Sequence, residues 1–299
     1  MKKLNLSGVY TALPITYQKD SFSIDWYSYG KLVQRQIEAN VEGIVLNGTT
    51  GESSTAKSSE MVHSIMYAKK IVPDRCKIIV GTGTSCTEET IEKTNMAVDA
   101  GADVILLVNP YYNKPSQRGL YLHFKAVADS TSLPVVLYNI PGRTGVNLEP
   151  ETLFKLVNNT DNIIGIKEAS GNLKQIRKIC DLKLDNFKVL SGDDALTFHI
   201  MKEFGVSGVI SVASNIVPDE MVQMVNFLLL GEFEEAKKIN LRLMELFTTL
   251  LTVDSNPVPL KYAMYLMRLC RNTLRLPLVP INHKGGKIIT DLLEKMKLV

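Results

Sequence analysis

The residue with the most chemical potential in this chain is a lysine at the end of an apolar run. Lys167 closes the segment Ile163-Ile164-Gly165-Ile166-Lys167 and is followed by Glu168. Side chains alternate along a strand, so Ile163, Gly165 and Lys167 share one face, with Ile164 and Ile166 on the other. If both faces are covered, the lysine points either into the mouth of a closed sheet or under a helix. Gly165 below it would leave room for a ligand. Desolvation lowers an amine's pKa and makes it a nucleophile that can form a Schiff base with a carbonyl. The plainer alternative is a strand-end lysine that pairs with Glu168 in solvent.

Other groups could serve such an amine. Gly48-Thr49-Thr50-Gly51-Glu52 could hold a carboxylate with backbone amides and hydroxyls at a helix N-terminus, or be a tight turn with a helix cap. Gly81-Thr82-Gly83-Thr84-Ser85 is similar and reads as a structural turn. Tyr111, Tyr112 and Tyr138 could each be packing aromatics, but a phenol near a Schiff-base lysine can also shuttle protons. Arg143 follows a Pro-Gly turn and is either a solvated loop cation or a bidentate clamp for a substrate carboxylate. Neither glycine-threonine loop continues as GK[ST] or GxGxxG, so a nucleotide site has little support.

These residues need a scaffold, and the chain supplies one on a regular beat. Short, mostly β-rich apolar segments begin near Val9, Gly43, Lys77, Val104, Val135, Ile163, Phe187 and Gly208, at spacings of about 21 to 34 residues. Continuous apolar runs suit parallel strands covered by helices on both faces. The stretches between carry helix marks. Ser85-x-x-Glu88 reads as a capping box, with Ile91 and Val98 behind it and a stop at Gly101. Met61, Ile65 and Ala68 share one helical face, as do Leu120, Phe124 and Val127. Pro150 fits a first helical turn, and Gly205 closes the stretch from Asp194 to Phe204. Eight such units predict an α/β fold, a (β/α)8 TIM barrel over residues 1–218, with a doubly wound sheet as runner-up. From 219 to 299 the pattern is helical only, broken at Asn256-Pro257-Val258-Pro259, and predicts a C-terminal helical appendage. The active site is expected at the C-terminal ends of the strands, where GTTGE, Tyr111, Tyr112, Tyr138, Arg143 and Lys167 all fall.

Composition narrows the function classes. Of 299 residues 45% are hydrophobic, and 34 Lys and Arg against 31 Asp and Glu leave a net +3 with no long basic run. That argues against a nucleic-acid arm or a membrane-surface patch. The stretch from Met1 to Ser7 lacks a signal-peptide core, and runs such as Phe227 to Leu230 are too short to span a bilayer. Cys76, Cys86, Cys180 and Cys270 are scattered, and read as reduced thiols of a cytoplasmic protein. His63, His123, His199 and His283 show no metal-ligand spacing.

Taken together, the segments from about Val9 to Pro259 resemble the dihydrodipicolinate synthase family, within the N-acetylneuraminate lyase superfamily of class I aldolases. The matching motifs are GTTGE (48–52), PYYNKP (110–115), NIPGRTG (139–145), GIKEASG (165–171), SGDD (191–194), GVISV (208–212) and NPVPLK (256–261). The resemblance implies a Schiff base between Lys167 and pyruvate, whose enamine attacks the aldehyde of L-aspartate 4-semialdehyde before the adduct cyclises. It implies Tyr138 at the centre of a proton relay with Thr49 and Tyr112, and Thr50 on the pyruvate carboxylate. Arg143 would take the carboxylate of the semialdehyde, and the backbones of Gly192 and Ile210 would line the site. No metal or organic cofactor is implied. Tyr112 would reach a neighbouring subunit's site, which implies at least a dimer, and the usual assembly is a dimer of dimers. One small departure is Asn109, where a threonine is frequent.

Two rivals stand beside this reading. A sialic acid or keto-deoxy-sugar lyase of the same superfamily would share Lys167 and Tyr138, but Arg143 favours a small anionic aldehyde. A non-catalytic barrel that senses a keto acid would not need the full set of lysine, threonine and tyrosine. Lysine-inhibited members bind lysine beside positions matching Ser53, Glu89 and Tyr111, all retained here. Ser58 and Met61 stand where inhibited enzymes often carry histidines, and Ser85 where they often carry asparagine, so weak or absent feedback inhibition is expected.

Overall fold

Each strand of the computed structural model is a run of Val, Ile, Leu and Tyr broken by few polar residues, as burial on both faces requires. The structure describes residues 6–299; the reading of the N-terminus over Met1 to Asn5 lies outside them. The strands are β1 (Gly8–Ala12), β2 (Gly43–Leu46), β3 (Lys77–Gly81), β4 (Val104–Val108), β5 (Val135–Asn139), β6 (Ile163–Glu168), β7 (Lys188–Ser191) and β8 (Gly208–Ser211). All pair in parallel in chain order, and β8 returns to β1 with Gly8 opposite Gly208 and Thr11 opposite Ser211. The result is a closed (β/α)8 barrel.

The helices in chain order are α1 (Trp26–Glu38), α2 (Ser58–Lys69), α3 (Thr87–Ala100), α4 (Gln117–Asp129), the short α5 (Pro141–Thr144), α6 (Pro150–Asn158), α7 (Leu173–Asp181), α8 (Asp194–Phe204), α9 (Pro218–Leu230), α10 (Phe233–Thr252), α11 (Val258–Leu266) and α12 (His283–Lys295). Pro150 sits in the first turn of α6, where its missing N–H costs nothing. Gly101, Gly205 and Gly231 end their helices in the left-handed region that a side chain would disfavour. The helix α9 packs against β1, α10 lies along α8 and α9, and α11 packs on α12.

Two apolar layers follow from strand alternation. Val45, Ile79, Leu106, Val136, Leu190 and Ile210 fill the barrel interior. Ile44, Ile78, Ile105, Leu137 and Ile166 face outward onto helical residues such as Leu32, Ile65, Phe124 and Leu153.

The start of α3 differs from the expected capping box. The helix begins at Thr87, with Cys86 at its N-cap position and no side-chain cap bond. Ser85 lies in the loop, where its carbonyl accepts from the Asn113 amide at 2.8 Å. Nor is the buried face of α3 led by Ile91 and Val98; it is Thr90, Thr94 and Ala97. The reason is local. The threonines of the Gly81–Ser85 loop bond to that face, Thr82 to Thr94 at 2.8 Å and Thr84 to Thr90 at 3.1 Å, so small hydroxyls pack where bulk would not fit. A Cβ at Gly81 would meet the Asn47 carbonyl oxygen at 2.4 Å, and one at Gly83 the Val108 nitrogen at 2.7 Å. That loop is a tightly packed turn, and its Gly81, Thr82 and Gly83 also line the cavity at the strand ends.

Candidate active site

Register decides where Lys167 points. It lies opposite Tyr138 of β5 and Leu190 of β7, both members of the interior layer. The lysine is therefore inside the barrel, 7% exposed, with its ammonium 4.2 Å from the centre of the Tyr138 ring. The ring face attracts the cation, which holds the amine at the phenol. Glu168, one residue on, faces the other way and is 1% exposed. It accepts hydrogen bonds from the Ser170 N–H at 2.8 Å and the Asn139 amide at 3.0 Å, so the solvent pair with Lys167 does not form. Burial raises the Glu168 carboxyl above the usual range, against the pull of those bonds.

The room beside the lysine comes from a different glycine than expected. A Cβ at Gly165 would sit 2.7 Å from the Lys188 carbonyl oxygen and 3.0 Å from the Leu6 side chain, so that space is filled by the barrel's own packing. At Gly192, a Cβ would stand 2.6 Å from the Ala169 Cβ and 3.0 Å from Lys167 Cε. Gly192 is the residue that keeps the amine's stem clear. Ile210, 1% exposed, belongs to the same interior layer as Tyr138.

Above this floor opens a cavity of about 660 Å³ lined by Thr49, Ser53, Tyr111, Tyr112, Tyr138 and Arg143, among others. Lys167 lies beneath the Tyr138 ring rather than on the cavity wall. Arg143 projects from α5, and its guanidinium donates to the Asn256 carbonyl at 3.4 Å. The loop that carries it is braced from behind. Asn109 donates to Asn139 at 2.8 Å and to the Val146 carbonyl at 3.1 Å, while Asn139 donates to Asn147 at 2.9 Å. The sequence departure at Asn109 is thus part of a buried amide network behind the strand ends.

The GTTGE loop does not open a helix. Helix α2 starts only at Ser58, and the loop instead turns through positive φ at Asn47 and Glu52. Thr50 is 3% exposed, and its hydroxyl accepts from the Asn256 amide at 3.0 Å. Asn256 had no role in the sequence reading, although it opens the NPVPLK motif. Tyr112 is 93% exposed, with φ of 74°. An exposed aromatic in the left-handed region is strained backbone, the kind found at functional sites.

Ser53 and Tyr111 share the cavity with Lys93, whose ammonium pairs with Glu89 of α3 at 3.0 Å. The bond to Lys93 holds the Glu89 carboxyl below its usual range. Met61 is 2% exposed and belongs to the outer core. All four cysteines are free, and among the described residues no group of three or more His, Cys, Asp or Glu is placed to hold a metal ion. No helix among them is long and apolar enough to cross a membrane.

An amine sheltered inside a (β/α)8 barrel, against a tyrosine that lines a cavity at the strand ends, defines a class of lyases that work through a Schiff base. Within that class the chain belongs to the dihydrodipicolinate synthetase family, whose sequence profile matches residues 5–296. It is 47% identical over 277 residues to the 4-hydroxy-tetrahydrodipicolinate synthase of Geotalea uraniireducens, covering 93% of this chain and 94% of that one. To the synthase of Endomicrobium trichonymphae it is 46% identical over 272 residues, 91% and 92% of the two chains. Its fold matches the crystal structure of the chloride-inhibited dihydrodipicolinate synthase of Acinetobacter baumannii complexed with pyruvate. There the TM-score is 0.95 at 38% identity, over 99% of this chain and all of that one.

Proposed function

We propose that this enzyme condenses pyruvate with L-aspartate 4-semialdehyde to 4-hydroxy-tetrahydrodipicolinate, in lysine and diaminopimelate biosynthesis. The observation that carries the reading is the Lys167 amine held inside the barrel against the Tyr138 ring. The amine attacks the pyruvate carbonyl, water leaves, and the resulting imine loses a methyl proton to give an enamine. The enamine carbon adds to the aldehyde, and the semialdehyde amine then displaces Lys167 as the ring closes. Tyr138, with Thr49 and the Tyr112 of a neighbouring subunit, moves the protons. Thr50 holds the pyruvate carboxylate, and the backbones of Gly192 and Ile210 line the pocket. The extreme exposure and strained backbone of Tyr112 support its use by a second copy, and a dimer of dimers is the assembly proposed. The barrel of 1–218 carries the chemistry, and the helical region 219–299 braces it from the side of α10 and α11. A cytoplasmic location follows from this biosynthetic role. A coupled assay with pyruvate and the semialdehyde tests the reading; turnover of pyruvate with a sugar aldehyde alone would overturn it.

The Arg143→Ala variant separates the two substrates. Arg143 is exposed on the cavity wall, which Lys167 does not line, so Schiff-base formation should stay within about twofold of the parent. Removing a charge-assisted hydrogen bond costs roughly 1.5–3 kcal/mol, so kcat/KM for the semialdehyde should fall about ten- to hundredfold. An unchanged value would remove Arg143 from the site and reopen the sugar-lyase alternative.

Feedback by L-lysine at the site of Ser53, Glu89 and Tyr111 should be weak. Glu89 is already engaged by Lys93, and Met61 is turned into the core. Two or three missing contacts at about 1 kcal/mol each weaken a ligand by one to two orders of magnitude. Titrating the coupled assay with L-lysine checks this, and saturable inhibition at micromolar lysine would contradict it.

A further inference from the structure

One ion pair in this molecule is wholly withdrawn from water. Lys261 of α11 is 0% exposed and donates from Nζ to Glu52 Oε1 at 2.6 Å. Glu52, 4% exposed, accepts a second bond at Oε2 from the Arg275 N–H at 3.2 Å. The Lys261 ammonium and the Arg275 guanidinium both lie over the Tyr17 ring, at 4.6 and 4.3 Å from its centre. Burial draws the Lys261 ammonium down from its ordinary range, and Glu52 works against that shift. Removing two charges from water is expensive, and such a pair seldom adds net stability over apolar residues of the same shape. Its presence calls for a reason other than holding the fold together.

Position supplies that reason. Glu52 ends the loop that carries Thr49 and Thr50, and its own φ of 52° is left-handed. Its N–H donates to the Thr49 carbonyl at 3.1 Å, and the Ser53 N–H donates to the Gly48 carbonyl at 3.2 Å. The backbone of Thr49 is therefore tied to the residue that Lys261 grips. Asn256, just before α11, reaches the same loop through Thr50. No helix follows to fix the turn, since α2 begins six residues after Glu52. Besides its own backbone bonds, the loop is held from outside the barrel, at Thr50 by Asn256 and at Glu52 by Lys261.

We propose that Glu52 and Lys261 are a positioning pair: they lock the 48–53 loop so that Thr49 and Thr50 are preset for pyruvate. This deepens the function proposed above and rests on it. A mis-set loop presents both threonines in the wrong place, and displacements of about 1 Å in a positioning shell can cost up to a hundredfold in rate. The cost falls first on pyruvate, because Glu52 belongs to the threonine loop itself, whereas Arg143 of α5 meets this region only through the Asn256 carbonyl, at 3.4 Å.

The test compares the parent enzyme with Glu52→Gln/Lys261→Met, which removes both charges and strands neither. The double variant should stay folded, with a Tm loss of no more than about ten degrees. A neutral pair of similar volume replaces an ion pair of little net stability, and the added cost is the buried glutamine N–H2. Its KM for pyruvate should rise about tenfold or more, while KM for the semialdehyde stays within twofold. Borohydride should still trap saturating pyruvate on Lys167. A folded double variant with an unchanged pyruvate KM, or with equal rises in both KM values, overturns the proposal. If the double variant does not accumulate, hydrogen exchange on the unaltered enzyme decides the matter. Pyruvate should slow exchange in both 48–55 and 258–264; protection confined to the loop overturns the coupling. Failure of the parent enzyme to trap pyruvate on Lys167 would instead strike the proposed function itself.

Discussion

Borohydride added to the enzyme with pyruvate is expected to leave one reduced pyruvyl group on the peptide that contains Lys167, and on no other. The imine forms when the Lys167 amine adds to the carbonyl and water leaves; hydride then fixes the C–N bond. Selectivity among the many lysines of the chain follows from environment. Surface lysines such as Lys125 and Lys295 are held by carboxylates at 2.9 and 2.6 Å. Lys261 is equally buried, but Glu52 occupies it. Among the described residues no carboxylate pairs with Lys167, and the Tyr138 ring stands beside its nitrogen. In Lys167→Ala, trapping and condensation should both vanish while Tm stays close to that of the parent. The substitution strands no carboxylate, since Glu168 is bonded elsewhere, to Asn139 and Ser170. Trapping on a different peptide, or residual condensation above a tenth of the parent rate, would break the mechanism.

The contrast between these two buried lysines also shows how far the sequence could be read. The eight strands were legible because continuous apolar runs recurred at nearly constant spacing, and each observed strand starts within a residue of the expected one. Lys167 could be placed on a face by alternation, but the choice between barrel mouth and helix side needed register, which joins β5, β6 and β7 across dozens of residues. Gly165 and Gly192 show the same limit. Both are glycines near the lysine, yet only three-dimensional packing shows that Leu6 fills the space under the first, and that the second clears Lys167 Cε. The α3 capping box does not form because hydroxyls of the preceding loop bond to the helix face, Thr82 to Thr94 and Thr84 to Thr90, contacts that the Ser85-x-x-Glu88 pattern does not encode. Thr50, Glu52, Asn256 and Lys261 all lie in the GTTGE and NPVPLK motifs, but the bonds between them, Asn256 to Thr50 and Lys261 to Glu52, span more than 200 residues. Local pattern therefore located the candidate groups, while the bonds that hold them in place were invisible to it.

Tyr138→Phe should divide binding from proton transfer. Phenylalanine keeps the ring that packs against the Lys167 ammonium and removes only the phenol oxygen. The Schiff base should therefore still form, and borohydride should still mark Lys167, though more slowly. What is lost is the group proposed to carry protons from the carbinolamine to the cavity side, where Thr49 and Tyr112 line the wall. A positioned general acid–base contributes about 10²–10⁴ in rate, so kcat should fall by that factor while KM for pyruvate changes little. The stability of the variant should be close to that of the parent, because the interior layer around Val136, Leu190 and Ile210 keeps its shape. A hydroxyl of only structural importance would instead lower Tm and leave kcat within a few fold. Measuring kcat, KM and Tm together distinguishes the two, and a kcat within threefold of the parent would take Tyr138 out of the relay.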